Sequence, residues 1–221
     1  YLISINASFI GDDWRESMVK SAIRQFRNRF DSKNGGFSQA PKFPSAHNLI
    51  FLLRYSKLYN DPKLLKMVEK TLRKMRKGGI FDQVGYGFHR YSTDENWLLP
   101  HFEKMLYDQA MLSLAYMEAY HLTQNKDYAR VAEEIFQYVL GDLTHENGGF
   151  YSAEDADSGG IEGNFYTWKK KELIDILGEK NGEIIGKFFG FKKEGNYLDE
   201  TTHKINGKNI PHIKMKFSEL T

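Results

Sequence analysis

The side chains able to do acid–base chemistry in this 221-residue chain gather in two glycine-led stretches. The first, GGIFDQVGYGFHRYSTDENWLLPHFEKMLYDQA, carries Asp82, Tyr86, His89, Arg90, Tyr91, Asp94, Glu95, Trp97, His101 and Glu103, with Asp108 near its end, one to two turns into the following helix. The second, GGFYSAEDADSGGIEGNFYTW, crowds Glu154, Asp155, Asp157 and Glu162 into nine positions beside Tyr151, Phe165, Tyr166 and Trp168. Paired carboxylates serve glycoside cleavage, where one acid protonates the leaving oxygen and another acts as base or nucleophile. A histidine can instead exchange a proton at a sugar carbon. Both chemistries stay open at this level, as does a purely local role in which acids such as Asp94 and Asp157 hold turns, and Glu103 and Asp108 sit near a helix N-terminus. Seven positions separate His101 from Asp108, so an early helix start would put both on one face and let Asp108 orient the imidazole.

Other chemistries fall away. There is no cysteine, which removes disulfides, thiol catalysis and Cys-ligated zinc. The Asp155-x-Asp157-x-Gly159-Gly160 run starts like a calcium loop but has Tyr166 where the closing Glu would stand. His145-Glu146 lacks the second histidine of a zinc-protease helix, and Gly85-x-Gly87 lacks the third glycine of a dinucleotide site. No metal and no cofactor is expected. Thirty-one Lys and Arg against 29 Asp and Glu leave a net charge of +2, too little to point to nucleic acid. The lysines and arginines between Lys63 and Lys77 read as a solvated helix face. Apolar runs such as Leu49 to Leu53 fall far short of the ~20 residues of a membrane span, so a soluble, cytoplasmic chain without a membrane partner is expected. The Asn6-Ala7-Ser8 sequon matters only in a secreted protein. A chain that opens at Tyr1 reads as a piece whose upstream part is missing.

These loops need helices to position them. Asp12 as a cap, then Trp14, Met18, Ala22, Ile23, Phe26 and Phe30, predict a first amphipathic helix. Residues 45–59 are apolar almost all round, the pattern of an inner helix. Asp61-Pro62 opens a third, striped helix ended by Gly78. A fourth helix over 103–123 is again apolar all round, and a fifth over 127–142 is striped. Short links join the second to the third and the fourth to the fifth, whereas long loops over 31–44, 78–102 and 143–168 follow the odd helices. In an up-down array those three loops emerge at one end. Each opens with a double glycine: Gly35-Gly36, Gly78-Gly79 and Gly148-Gly149. Short helices over 171–177 and 179–189 and a Gly/Lys/Asn-rich tail with few anchors follow. This describes an all-α protein, part of an α/α toroid, of whose six hairpins the chain supplies about three and a half. Aromatics make up 14% of the chain. A sugar cleft at the loop end requires Tyr86, Trp97, Tyr166 and Trp168 to converge there.

The strings GGFSQAPKFP, GGIFDQVGYGFHRYSTDENWLLPHFEKMLYDQA and GGFYSAEDADS followed by EGNFYTW resemble the spermatogenesis-associated protein 20 family, also called YyaL-type, from about Trp14 to Glu200. The resemblance implies a thioredoxin-like domain upstream, then an (α/α)6 toroid similar to the N-acylglucosamine 2-epimerase and six-hairpin glycosidase folds, with residues 1–221 forming about its first half. Its partners would be the thioredoxin-like domain, the rest of the toroid and a small-molecule carbohydrate. By position, Pro100, His101, Phe102, Glu103, Lys104 and Asp108 would stand at the toroid mouth, joined by Glu154, Asp155, Asp157, Glu162, Tyr166 and Trp168. Gly159-Gly160-Ile161 departs from the more acidic run expected there. The expected catalytic set is His101, Glu103, Asp108, Asp155 and Asp157. The expected substrate-binding set is Asp82, Tyr86, His89, Arg90, Trp97, Glu154, Glu162, Tyr166 and Trp168. A non-catalytic scaffold beside a redox domain is the alternative.

Overall fold

Helices apolar on one stripe alternate with helices apolar on most sides, and burial follows that alternation. The computed structural model describes residues 16–199 and 203–220; the Asp12 cap and Trp14 lie outside the described residues. Helix α1 (Glu16–Arg29) buries only Ile23 fully. Helix α2 (Ala46–Leu58) buries Leu49, Ile50, Leu52 and Leu53. Helix α3 (Pro62–Lys77) starts where the Asp61 side chain accepts a hydrogen bond from the Leu64 amide, with Pro62 in the first turn, where its missing N–H costs nothing. Helices α4 (Leu106–Thr123) and α5 (Lys126–Gly141) repeat the pair. The inner helices α2 and α4 pack on each other, with α3 against α2 and α5 against α4. Tyr116 ties the layers by donating its hydroxyl to the Leu72 carbonyl at 2.8 Å. No helix among the described residues is long and apolar enough to cross a membrane.

The long loops meet, as expected, at one end. Lys42 and Ser92 exchange backbone hydrogen bonds, and the buried Lys42 ammonium reaches Asp31 and the carbonyls of Gly35 and Glu95. Four two-residue antiparallel ladders complete the framework: β1 (Tyr91–Ser92) with β2 (Pro100–His101), β3 (Lys104–Met105) with β4 (Ala153–Glu154), β5 (Asp157–Ser158) with β6 (Ile161–Glu162), and β7 (Trp168–Lys169) with β8 (Lys208–Asn209).

Three expectations need correction. Helix α4 begins at Leu106 rather than 103, because Lys104 and Met105 are extended and spend their backbone groups on β4. The tail is anchored after all, since the buried Asn209 side chain bonds the Lys192 backbone and the Trp168 carbonyl. Trp97 is wholly buried, its indole N–H donating to the Asn34 carbonyl at 3.0 Å, so it pins the first loop to the second and offers no platform to a ligand.

Helices α6 (Lys170–Leu177) and α7 (Glu179–Phe188) pack on each other beyond the third loop.

Candidate functional site

The β1–β2 ladder sets Tyr91 opposite His101 and stacks their rings at 5.2 Å and 26°. The β5–β6 hairpin then brings a carboxylate from the third loop: Glu162 Oε1 lies 2.6 Å from His101 Nδ1. On the other edge of the ring, His101 Nε2 is 3.4 Å from Glu103 Oε2, which also accepts from Arg90 Nη1 at 2.9 Å. The His101 side chain is 27% exposed, reachable from solvent yet held. Asp108 sits nearby, where burial pushes its carboxyl up to about 6 against the pull of Arg90. Asp108 Oδ2 and Arg90 Nε are the buried side-chain polar atoms without a hydrogen-bond partner among the described residues. The expected pairing of His101 with Asp108 on one helical face does not form. His101 belongs to β2, five residues before α4 begins, and Glu162 orients it instead.

Directly behind this open group lies a sealed one. Successive side chains of an extended chain point to opposite sides, so Glu103 faces the imidazole while Lys104, 2% exposed, turns inward. Its ammonium donates to Asp82 Oδ2 at 2.8 Å and to the Tyr86 carbonyl at 2.9 Å, and lies over the rings of Tyr138 and Tyr166. Both phenols donate to Glu154, Tyr138 at 2.6 Å and Tyr166 at 2.7 Å. Burial and that carboxylate push both phenols far above their ordinary range. Burial alone would raise Asp82, yet the charge of Lys104 helps hold it below the ordinary carboxylate value. His89 packs edge-on against Tyr166 and Phe102. Burial first, and Lys104 second, hold its ring down to about 3. His89 Nδ1 lies 3.1 Å from the Phe102 carbonyl, an acceptor only, so the neutral ring carries its proton on Nδ1.

The structure thus divides the sequence-predicted residues. It brings His101, Glu103, Arg90 and Glu162 together, with Asp108 beside Arg90. Asp82, His89, Glu154 and Tyr166 join the second loop to the third, and for His89 the expected contact with substrate is corrected because the ring is 1% exposed. Tyr86 turns toward Phe81 in the core. Asp155 accepts from the Asp157 amide, a local turn, and Asp157 sits opposite Glu162 in the ladder, neither bonding to His101. Trp168 borders a cleft of about 580 Å³ with Asp82, Phe165 and Tyr166. The four aromatics expected to converge therefore do not. Nearer to His101 are Tyr91 and, stacked on it at 4.8 Å, Phe43 of the first loop, which lies outside the two acid-rich stretches that marked the site in the sequence. Lys42 and Tyr138 were missed too, and Lys104, which the resemblance placed at the toroid mouth, is buried instead. A loop lysine reads as solvated, and Tyr138 reads as part of the α5 stripe. Among the described residues no group of three or more His, Asp or Glu is arranged to hold a metal ion.

No family model matches the chain. It is 40% identical over 226 residues to spermatogenesis-associated protein 20 of Mus musculus, a match covering 93% of this chain and 28% of that protein. The chain therefore spans a little over a quarter of the length of the curated relatives it matches. Similar solved structures include a cellobiose 2-epimerase from Bacillus thermoamylovorans, with a TM-score of 0.55 and 16% identity over 60% of this chain and 37% of that one. A sugar epimerase from a ruminal bacterium superposes with a TM-score of 0.52 and 16% identity over 75% of this chain and 51% of that one. At such identity the likeness concerns the fold, an all-α architecture that is part of an α/α toroid.

Proposed function

We propose that this homologue of a segment of spermatogenesis-associated protein 20 handles a carbohydrate at the open end of its toroid, with His101 moving a proton at a sugar carbon. The observation that carries this is the imidazole held edgewise between Glu162 and Glu103. A glycosidase pair needs its two carboxyls about 5–9.5 Å apart with room between them for the anomeric centre or a water. Here the gap is filled by a ring, which favours histidine chemistry over a two-carboxylate hydrolase. The short contact to Glu162 fixes the ring's orientation. The longer one to Glu103, shared with Arg90, leaves Nε2 as the nitrogen a substrate meets. Nε2 would take the proton from the carbon next to an open-chain sugar's carbonyl. The electron pair would pass to the carbonyl oxygen as an enolate, Arg90 would stabilise that charge, and the proton would return to the same carbon, or to the former carbonyl carbon once the adjacent hydroxyl proton has passed to the enolate oxygen. The sugar-epimerase names of structural neighbours support the substrate class by analogy of fold.

The test is solvent exchange. Full-length protein incubated with aldoses and ketoses in D2O should erase the proton signal at C2, and His101→Gln should abolish the effect. Exchange undiminished in that variant would reject the role of His101. No exchange and no sugar binding would favour the alternative of a non-catalytic scaffold accompanying a thioredoxin-like domain, a role with which the bridging of Asp82 and Glu154 is also compatible.

A further inference from the structure

Arg90 and Glu103 are joined twice, the Arg90 amide donating to the Glu103 carbonyl at 2.8 Å and Arg90 Nη1 to Glu103 Oε2 at 2.9 Å. Beyond Glu103 the chain runs through β3, paired with β4, and enters α4 at Leu106, whose amide donates to the Ser152 carbonyl at 2.9 Å. The first turn of α4 is thus held by the second and third loops together. Its outward side chain is Tyr107, 53% exposed. Glu103 first, and the Tyr107 hydroxyl after it, interact with the Arg90 guanidinium and hold it above the ordinary arginine range. The phenol therefore stands beside the cation assigned to the enolate oxygen. The neighbouring groups are engaged otherwise. Asp108 keeps Oδ2 buried, Glu103 is shared between Arg90 and the imidazole, and the Tyr91 ring covers one face of His101. A phenol both donates and accepts a proton, so Tyr107 is the exposed neutral acid of the group.

We infer that the Tyr107 hydroxyl is a second catalytic group, carrying a proton between the two oxygens of the sugar, and that the reaction is therefore aldose–ketose interconversion. The inference rests on the carbohydrate reading of the His101 site and deepens it. In the aldose direction, His101 Nε2 takes the proton from C2, the C1 carbonyl oxygen receives the electron pair, and Tyr107 gives that oxygen its proton. An enediol and a phenolate result, the phenolate with the Arg90 charge beside it. The phenolate then takes the proton of the C2 hydroxyl. The electrons left on that oxygen form the ketone, and the pair of the carbon–carbon double bond takes the proton from Nε2 at C1. Imidazole and phenol both return to their starting state, and the protein is neither oxidised nor reduced. In the cis form of the enediol the two oxygens sit on adjacent carbons on one side, so a single hydroxyl serves both.

The full-length protein is incubated in D2O with glucose, mannose and cellobiose, and proton spectra follow two rates in each sample, loss of the C2 proton signal and appearance of the ketose. The wild type should show both for at least one of the sugars. Tyr107→Phe, a conservative change at an exposed position, should slow both, but ketose formation far more, so that the ratio of ketose formation to C2 exchange falls about tenfold or more. A smaller change in that ratio, including an equal loss of the two rates, overturns the role of Tyr107 and leaves the His101 reading standing. Exchange at C2 with no ketose formed by the wild type also overturns it and spares His101. No exchange by the wild type with any of the three sugars overturns both.

Discussion

Glu162 Oε1 sits 2.6 Å from His101 Nδ1 although 61 positions separate the two residues in the chain. The third loop thereby reaches across to aim a ring carried by the second. Both side chains are partly exposed, at 27% and 43%, so the pair adds little to stability, within about 1 kcal/mol. Glu162→Ala should leave the melting temperature nearly unchanged and slow deuterium exchange into the sugar by more than about tenfold, or about 1.4 kcal/mol of barrier. Glu162→Gln, which keeps an acceptor, should recover part of the rate. Wild-type exchange in the alanine variant would show that the ring needs no such guide.

Asp108 should make the protein less stable as pH rises. Its carboxyl is raised from 3.8 to about 6 by burial, so between those values the folded protein binds more protons than the unfolded chain. The stabilising contribution is whole below about 4 and is lost as pH climbs through 6. Asp108→Asn should then be more stable than the wild type above pH 6, by on the order of 1 kcal/mol, with the advantage gone near pH 4. Parallel denaturation curves at both pH values would contradict this.

His89 acts in the opposite sense. A ring held down to about 3 from 6.5 binds fewer protons in the folded state, so its contribution is present above 6.5 and lost as pH falls toward 3. Nitrogen-15 spectra should show a neutral ring protonated at Nδ1 at pH 5, where an ordinary histidine is charged. His89→Asn, which can still donate to the Phe102 carbonyl, should flatten the acid limb of the stability profile. An imidazolium signal at pH 5 would be the contrary result.

Removing the buried lysine should be costly. Lys104→Met deprives Asp82 of the cation it is paired with and leaves buried charge uncompensated, a loss of about 3–5 kcal/mol. Urea denaturation reads this directly, and a loss below about 1 kcal/mol would mean that water or a shift of the loops takes over.

What could be read from the sequence was what is local. The apolar surround of α2 and α4 and the stripes of α3 and α5 follow from spacing within one helix, and the shared end of the loops follows from connection lengths. Contacts set by two-residue ladders were beyond reach, because a strand of two residues has no alternation to detect. Hence Glu162, found as one acid among four, could not be assigned to His101. Trp97 misled because aromatic residues in a polar loop look the same whether they face out or in. Similar words also hid different roles. A Cβ on Gly78 would lie 2.2 Å from the Trp97 carbonyl oxygen, so that glycine permits close packing, whereas Gly148 has open space around it and a φ of +85° in a hairpin turn.

Glu103 and Lys104 are neighbours that serve opposite sides of one extended stretch, the carboxylate beside the open imidazole and the ammonium in the sealed cluster. An insertion or deletion of a single residue between His101 and Lys104 would exchange their directions. It would place an acid against Asp82 and a lysine at the imidazole. The count of residues here is therefore as constrained as their identity. Loops grafted or resized in this protein should leave 101–104 untouched, and natural length variation should fall instead in hairpin turns such as the one around Gly148.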